Sequence, residues 1–217
     1  MMHTELSCQV CRHSPVRHFM TIGQQRYDRC DRCQATLLDP GCYLSPAGER
    51  EIYELHENQI NDPGYRRFLA RLTEPLLEQL PPRAEGLDFG CGPGPALANL
   101  MQEAGMSVAL YDPFFFPDPS LLRKDWDFVT CTEVGEHLHD AYAVFQQLVQ
   151  MLRPGGWLGV MTCFQTDDSR FAGWHYRRDP THVVFYREST IAWLACHFGL
   201  TLTIPGKDVA LLHKPLL

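Results

Sequence analysis

Leu87-Asp88-Phe89-Gly90-Cys91-Gly92-Pro93-Gly94 stands between a short apolar run and an amphipathic segment, where a strand would hand over to a helix. Glycines at such a junction permit a tight turn and let a ligand approach the backbone closely. A glycine loop alone is weak ground, and a purely structural turn is the competing reading. Three further features support a binding loop: Asp88 two residues before the first glycine, the strand–loop–helix setting, and Asp112 at the end of the next apolar run. A carboxylate at that strand end can accept hydrogen bonds from both hydroxyls of a ribose. The spacing is G-x-G-x-G, which differs from the G-x-G-x-x-G of a nicotinamide site.

Outward from this loop, apolar runs and amphipathic segments alternate, which predicts an α/β domain with a largely parallel sheet. Strands are expected over 86–89, 107–111, 126–132 and 157–163, with helices over 96–104, 141–152 and 191–198. Asp140 and Ser189 are the expected caps of the last two. Residues 165–187 lack periodicity and read as a long functional loop. Residues 200–204 and 209–213 flank Pro205-Gly206-Lys207 as a terminal hairpin. On the amino-terminal side a helix runs from Pro46 through Ile52, Tyr53, Leu55 and His56 to about Asn61. A second follows the Asp62-Pro63 cap and should break or kink at Pro75.

Nine cysteines divide into two groups. Cys8-x2-Cys11 and Cys30-x2-Cys33 are two knuckles separated by eighteen residues, a pattern that places four thiolates around one tetrahedral zinc ion. A thiol redox pair or an iron site is the alternative. Four sulfur ligands would leave no open position, so such a zinc is structural. Arg12, Arg29 and Arg32 adjoin the knuckles and are expected to offset the thiolate charge. Cys42, Cys91, Cys131, Cys163 and Cys196 are scattered and read as small buried hydrophobes. The expected organisation is a zinc-binding module over 1–40, a helical linker or cap over 41–83, and the α/β domain over 84–217.

The chain has 217 residues, 45% hydrophobic and 21% charged, with a formal net charge of -7. This is a globular composition, and the acidic balance disfavours a nucleic-acid partner. No signal-peptide or membrane-spanning stretch is visible, so a cytoplasmic protein with no membrane partner is expected.

Taken with these motifs, the chain resembles the class I S-adenosylmethionine-dependent methyltransferases over about residues 84–213. The 87–94 run is similar to their first motif, and Asp112 to their ribose-binding acid. Cys131-Thr132-Glu133-Val134-Gly135-Glu136-His137-Leu138 is similar to their fourth motif, and Leu152-Arg153-Pro154-Gly155-Gly156-Trp157 to the turn before their fifth strand. The resemblance implies a Rossmann-like sheet of seven strands with helices on both faces and an antiparallel last strand, here preceded by a zinc-ribbon-like module. It implies S-adenosylmethionine held by Asp88, Gly90, Gly92, Gly94, Asp112, Pro113, Thr132 and Glu133. One departure stands out. About fourteen residues separate Asp112 from Trp126, too few for the family's helix plus strand. The run Phe114-Phe115-Phe116 should instead cover the adenine or a neighbouring helix. Asp118 and Asp125 are the weak candidates for the adenine-binding acid.

Methyl transfer from a sulfonium is an in-line displacement that depends mainly on alignment, with a base needed only where the acceptor must lose a proton. The candidates are His137 (with His139 nearby) after the fourth strand, and His175, Tyr176 and His182 in the 165–187 loop. His3, His13, His18, His56, His197 and His213 read as surface or packing residues. Arg170, Arg177 and Arg178 offer either an anion grip or a solvated face. Three functions compete. The acidic charge and an aromatic loop favour a small-molecule methyltransferase acting on a sugar or metabolite. An RNA methyltransferase would need a basic face across the zinc knuckles and residues 170–178. A non-catalytic cofactor-binding protein that works through a partner would bind the cofactor without methyl transfer to any acceptor.

Overall fold

The computed structural model describes residues 6–55 and 59–216. His3 and His56, read above as surface or packing residues, lie outside them. The first forty residues carry three strands, β1 (Arg17–Ile22), β2 (Gln25–Arg29) and β3 (Thr36–Leu38). Helix α1 (Pro46–Glu54) starts at the Ser45 cap and ends sooner than its periodicity suggests. Helix α2 (Pro63–Leu77) is capped by Asp62, whose side chain accepts from Tyr65 N. It runs unbroken through Pro75. A proline this close to the helix end removes a single hydrogen bond, and Leu69, Leu72 and Leu76 are buried on the face that packs on the sheet.

The α/β part follows with β4 (Glu85–Phe89), α3 (Ala96–Glu103), β5 (Ser107–Tyr111), β6 (Trp126–Thr132), α4 (Ala141–Gln150) and β7 (Leu152–Met161). It closes with β8 (Val184–Phe185), α5 (Glu188–His197), β9 (Thr201–Gly206) and β10 (Val209–His213). Six strands form the main sheet in the order β5-β4-β6-β7-β10-β9, with β4 to β7 parallel and β10 antiparallel to both neighbours. The seventh strand implied by the resemblance has no room. Asp112 and Phe116 form an antiparallel bridge that turns the chain tightly, and a single helical turn at 121–123 leads straight into β6.

Helices cover both faces. Leu69, Leu72 and Leu76 of α2 and Leu97 and Met101 of α3 meet Phe128, Met161, Val209 and Leu211 on one side. On the other, Phe145 and Leu148 of α4 and Ile191 and Leu194 of α5 pack with Leu87, Val129, Leu158 and Leu212. Alternate residues of β10 thus face opposite layers, as a strand's two-residue period requires. The close approach of the Phe128 ring to β4 explains Gly86, where an added Cβ would lie 2.2 Å from Cζ of that ring.

Three boundaries differ from expectation for local reasons. Strand β7 begins at Leu152, because Arg153 to Gly156 form a bulge inside the ladder; Trp126 pairs with Leu152 and Phe128 with Trp157. Ser189 lies inside α5, whose start is fixed by Arg187 N donating to Thr190 Oγ1. Within the 165–187 loop, β8 pairs with β3 and completes a second, antiparallel sheet, β1-β2-β3-β8. The amino-terminal segment therefore borrows its fourth strand from the α/β part, and the two share one apolar core. Of the five scattered cysteines only Cys131 is buried, and Cys196 on the outer side of α5 is exposed. Among the described residues no helix is long and apolar enough to cross a membrane.

Candidate active site

A cleft of about 720 Å³ opens at the carboxyl ends of β4, β5 and β6, the position where open α/β sheets take ligands. One wall is the glycine turn. Gly90 and Gly92 adopt φ of +74° and +62°. The N–H groups of Gly90 and Cys91 both donate to Tyr111 O, which straps the turn to the end of β5. A Cβ on Gly90 would lie 2.4 Å from Cγ2 of Val134. Gly90→Ala combines an unfavourable φ with a clash and is expected to cost about 2 kcal/mol, read as a lower denaturation midpoint. An unchanged midpoint would mean that the turn and Val134 are not packed this way.

Asp112 sits directly against this turn. Its carboxylate accepts from Gly92 N at 3.1 Å, Phe114 N at 2.8 Å and Phe115 N at 3.1 Å. The aromatic run is thus folded around the acid. Phe114 lies in the cleft wall beside Tyr53 of α1, with ring centroids 5.6 Å apart. Asp118 and Asp125 do not line the cleft. Asp118 instead accepts from Ser120 N and caps the turn before β6, which removes the proposed adenine-binding acids from the site. Asp88 is buried under the glycine turn, where Thr130 Oγ1 donates to it at 2.8 Å. Burial pushes its carboxyl up to about 6, and the nearby charge of Asp112 adds to the shift while Thr130 opposes it.

The third wall follows β6. Thr132 Oγ1 is buried, lines the cleft and has no hydrogen-bond partner. Glu133 sits at φ +51°, a conformation that costs energy and persists only where the surroundings impose it. Burial pushes its carboxyl up to about 9, with the charge of Glu136 adding to the rise.

Glu136 is fully buried and acts as the hub of the polar end of the cleft. Tyr176 O–H donates to Oε1 at 2.5 Å and Thr162 O–H to Oε2 at 2.9 Å. His137 and His182 stand beside it, their rings 4.6 Å apart. His137 Nδ1 is 3.2 Å from Thr181 O, and His182 Nδ1 is 2.7 Å from Tyr176 O. Burial lowers the pKa of His182, and Glu136 pulls it back. Tyr176 is held well above its ordinary pKa by burial, so its hydroxyl is a donor that orients Glu136. His175 is exposed at the cleft rim. His139 lies 2.8 Å from Glu49 Oε1 and stacks on Tyr43, fastening α1 over the cleft.

All eight residues expected at the cofactor and all four expected at the chemistry therefore line one cleft. Glu136 was visible in the sequence only as half of a Glu-His pair, and Thr162 carried no signal. Their roles arise from pairings across the fold.

The four paired cysteines meet in a second, closed site. All are buried, with one sulfur from each within 4.8 Å of the others. Cys8 Sγ and Cys33 Sγ are 3.6 Å apart, Cys11 Sγ and Cys30 Sγ 3.4 Å. Tetrahedral sulfurs about 2.3 Å from one ion lie about 3.8 Å apart, so this set fits a metal ion. The neighbouring arginines have other partners. Arg12 pairs with Asp140, the cap of α4, and Arg29 with Asp168, while Arg32 lies over Trp193. They tie the module to the α/β part instead of facing the thiolates.

A doubly wound sheet with a glycine turn and an adjoining carboxylate at its switch point defines a Rossmann-like domain, with its cleft where such sheets take ligands. A family described as a methyltransferase domain matches residues 62–203, and the chain belongs to that family. The chain is also similar to solved structures. The 1,6-didemethyltoxoflavin-N1-methyltransferase of Burkholderia thailandensis, determined with 1,6-didemethyltoxoflavin and S-adenosylhomocysteine, is 18% identical with a TM-score of 0.49, over 92% of this chain and 99% of that one. An O-methyltransferase family protein from the same organism is 15% identical, with a TM-score of 0.48 over 77% and 63% of the two chains. The N-methyltransferase NodS of Bradyrhizobium japonicum WM9 is 19% identical, with a TM-score of 0.44 over 71% and 98%. No curated protein matches the chain.

Proposed function

We propose that this protein transfers a methyl group from S-adenosylmethionine to a small-molecule acceptor, and that zinc fills its four-cysteine site. The observation that carries the reading is the cleft itself. A glycine turn and Asp112 form one end, and a buried cluster of Glu136, His137 and His182 forms the other. The donor supplies an activated methyl group on a sulfonium. The unpartnered Thr132 hydroxyl, the close-approach turn and the facing acid suit its polar groups. Gly90, Gly92 and Gly94 would border its amino-acid part with Asp88 near the amine, and Asp112 would hold the ribose. The Pro113 backbone would flank the adenine, with Thr132 and Glu133 completing the pocket.

At the other end, the acceptor's hydroxyl or amine is oriented and deprotonated by the imidazole cluster. The two histidines are held in place by backbone carbonyls and Glu136 by two hydroxyls, so this geometry costs little reorganisation. His175 at the rim contacts the acceptor's outer part. An acceptor of small-molecule size suits the cleft volume. The basic face needed for RNA is weakened by pairing: Arg12 with Asp140, Arg29 with Asp168 and Arg170 with Asp167.

Asp112→Ala provides the test. S-adenosylhomocysteine affinity, measured by calorimetry, is expected to fall at least about tenfold, the equivalent of one lost charged hydrogen-bonding group. Unchanged affinity would remove the ribose role, and absence of binding by the unmodified protein would remove the methyltransferase reading.

A further inference from the structure

We propose that Glu136, His137 and His182 bind a divalent transition-metal ion at the acceptor end of the cleft, separate from the four-cysteine site. One ligand-capable atom from each lies within 4.8 Å of the others. His137 Nε2 is 4.0 Å from Glu136 Oε1. Two ligands each about 2.1 Å from one ion are about 3.0 Å apart at a right angle and about 4.2 Å apart when opposed, so that separation spans an ion.

The surroundings are those of a ligand set. A backbone carbonyl can only accept, so the contacts to Thr181 O and Tyr176 O make Nδ1 the protonated nitrogen of each ring. The lone pair then belongs to Nε2 in both. A second ring nitrogen donating to a carbonyl is the usual support of a metal-bound histidine, because it fixes the tautomer and the ring plane. Thr162 and Tyr176 do the same for the carboxylate. The ligands come from distant parts of the chain and are locked together, since Val183 N donates to Glu136 O at 2.8 Å. All three residues line the cleft, which gives an ion a way in.

Two imidazoles and one carboxylate suit manganese, iron, cobalt or zinc, and suit magnesium or calcium less, because those prefer oxygen alone. Three protein ligands leave positions open for the acceptor. The acceptor class that exploits them carries two adjacent oxygens, as in a vicinal diol or a hydroxy acid. With both Nε2 lone pairs on the ion, the imidazoles no longer serve as bases, and the ion instead lowers the pKa of one hydroxyl, whose proton passes to water. That oxygen's electron pair then takes the methyl group, and the breaking carbon–sulfur bond leaves its pair on sulfur as the neutral thioether. This use of the ion rests on the methyl-transfer reading above, whereas the metal site does not.

The test is a titration of the full chain, its cysteine site already filled with zinc, with Mn2+ followed by the loss of the free-ion paramagnetic resonance signal. One Mn2+ per chain is expected to bind, with affinity falling at least about tenfold in both His137→Ala and His182→Gln. Bound Co2+ in place of Mn2+ should show no thiolate charge-transfer band, in contrast to the four-cysteine site. No binding at roughly millimolar Mn2+, Co2+ or Zn2+ beyond the cysteine site would overturn the proposal, as would binding that neither substitution alters. S-adenosylhomocysteine is titrated separately on the same preparation. Failure there sinks the methyltransferase reading and leaves the metal site to be judged by Mn2+ alone.

Discussion

Cys30→Ser is expected to destabilise the whole molecule by about 3 kcal/mol or more, and not the first forty residues alone. The binding energy of the zinc proposed for this closed thiolate site would be folding energy, because the unfolded chain has no preformed site. Serine is a poor ligand for that ion and leaves a polar group at a fully buried position. The loss spreads because the module has no core of its own. Its cysteines share a cluster with Phe145, Tyr186 and Ile191. Strand β3 pairs with β8, Leu38 N donates to Val183 O, and Val183 N donates to Glu136 O. Two backbone hydrogen bonds thus separate the cysteine module from the hub of the cleft. All four tryptophans lie outside residues 1–40, so their fluorescence reports this coupling. A single denaturation transition at a lower midpoint is expected, together with metal release to a chromophoric chelator. Wild-type metal content with an unshifted tryptophan transition would show that the site contributes neither metal binding nor stability.

Glu133→Gln should act in the opposite direction, stabilising the protein at alkaline pH. Glu133 has a folded pKa of about 9 against an ordinary 4.5, raised chiefly by burial and further by Glu136. The folded state therefore keeps a proton that the unfolded chain releases. Stability falls as pH rises between those two values, by at most about 1.4 kcal/mol per unit. Glutamine cannot ionise in either state and escapes this penalty. With part of the side chain open to the cleft, a gain of about 2–3 kcal/mol is expected at pH 8 and almost none at pH 4. Urea midpoints of both proteins at the two pH values measure it. An equal effect at both, or a loss at pH 8, would mean that Glu133 is ionised in the folded state. Cofactor affinity is expected to weaken in the same variant, because a strained, half-buried acid is kept at a stability cost where function uses it.

Sequence patterns located those features that depend on neighbouring residues. The bounds of β5 and β6, the Asp140 and Asp62 caps, the terminal hairpin and the glycine turn all follow from periodicity and local hydrogen bonding. The paired cysteines could be assigned to one cluster because a two-residue knuckle constrains its own geometry. Features set by partners far along the chain were not legible. Pro75 reads as a breaker, yet packing of Leu72 and Leu76 on the sheet holds the helix through it. Residues 184–185 read as loop because two residues carry no period, and only β3 makes them a strand. The shortage of residues between Asp112 and Trp126 was visible, but the tight Asp112–Phe116 bridge that replaces a seventh strand was not.

By itself the sequence determined an α/β domain with a glycine turn, a facing acid and a four-cysteine site, because each is encoded within one segment or one knuckle spacing. Only the tertiary structure decided that the cysteine module and the α/β part share a core, and that Glu136 joins His137, His182, Thr162 and Tyr176 in one buried cluster. Those associations come from side chains that meet across many intervening residues, and burial, which gives them their electrostatic character, does not exist until the layers close.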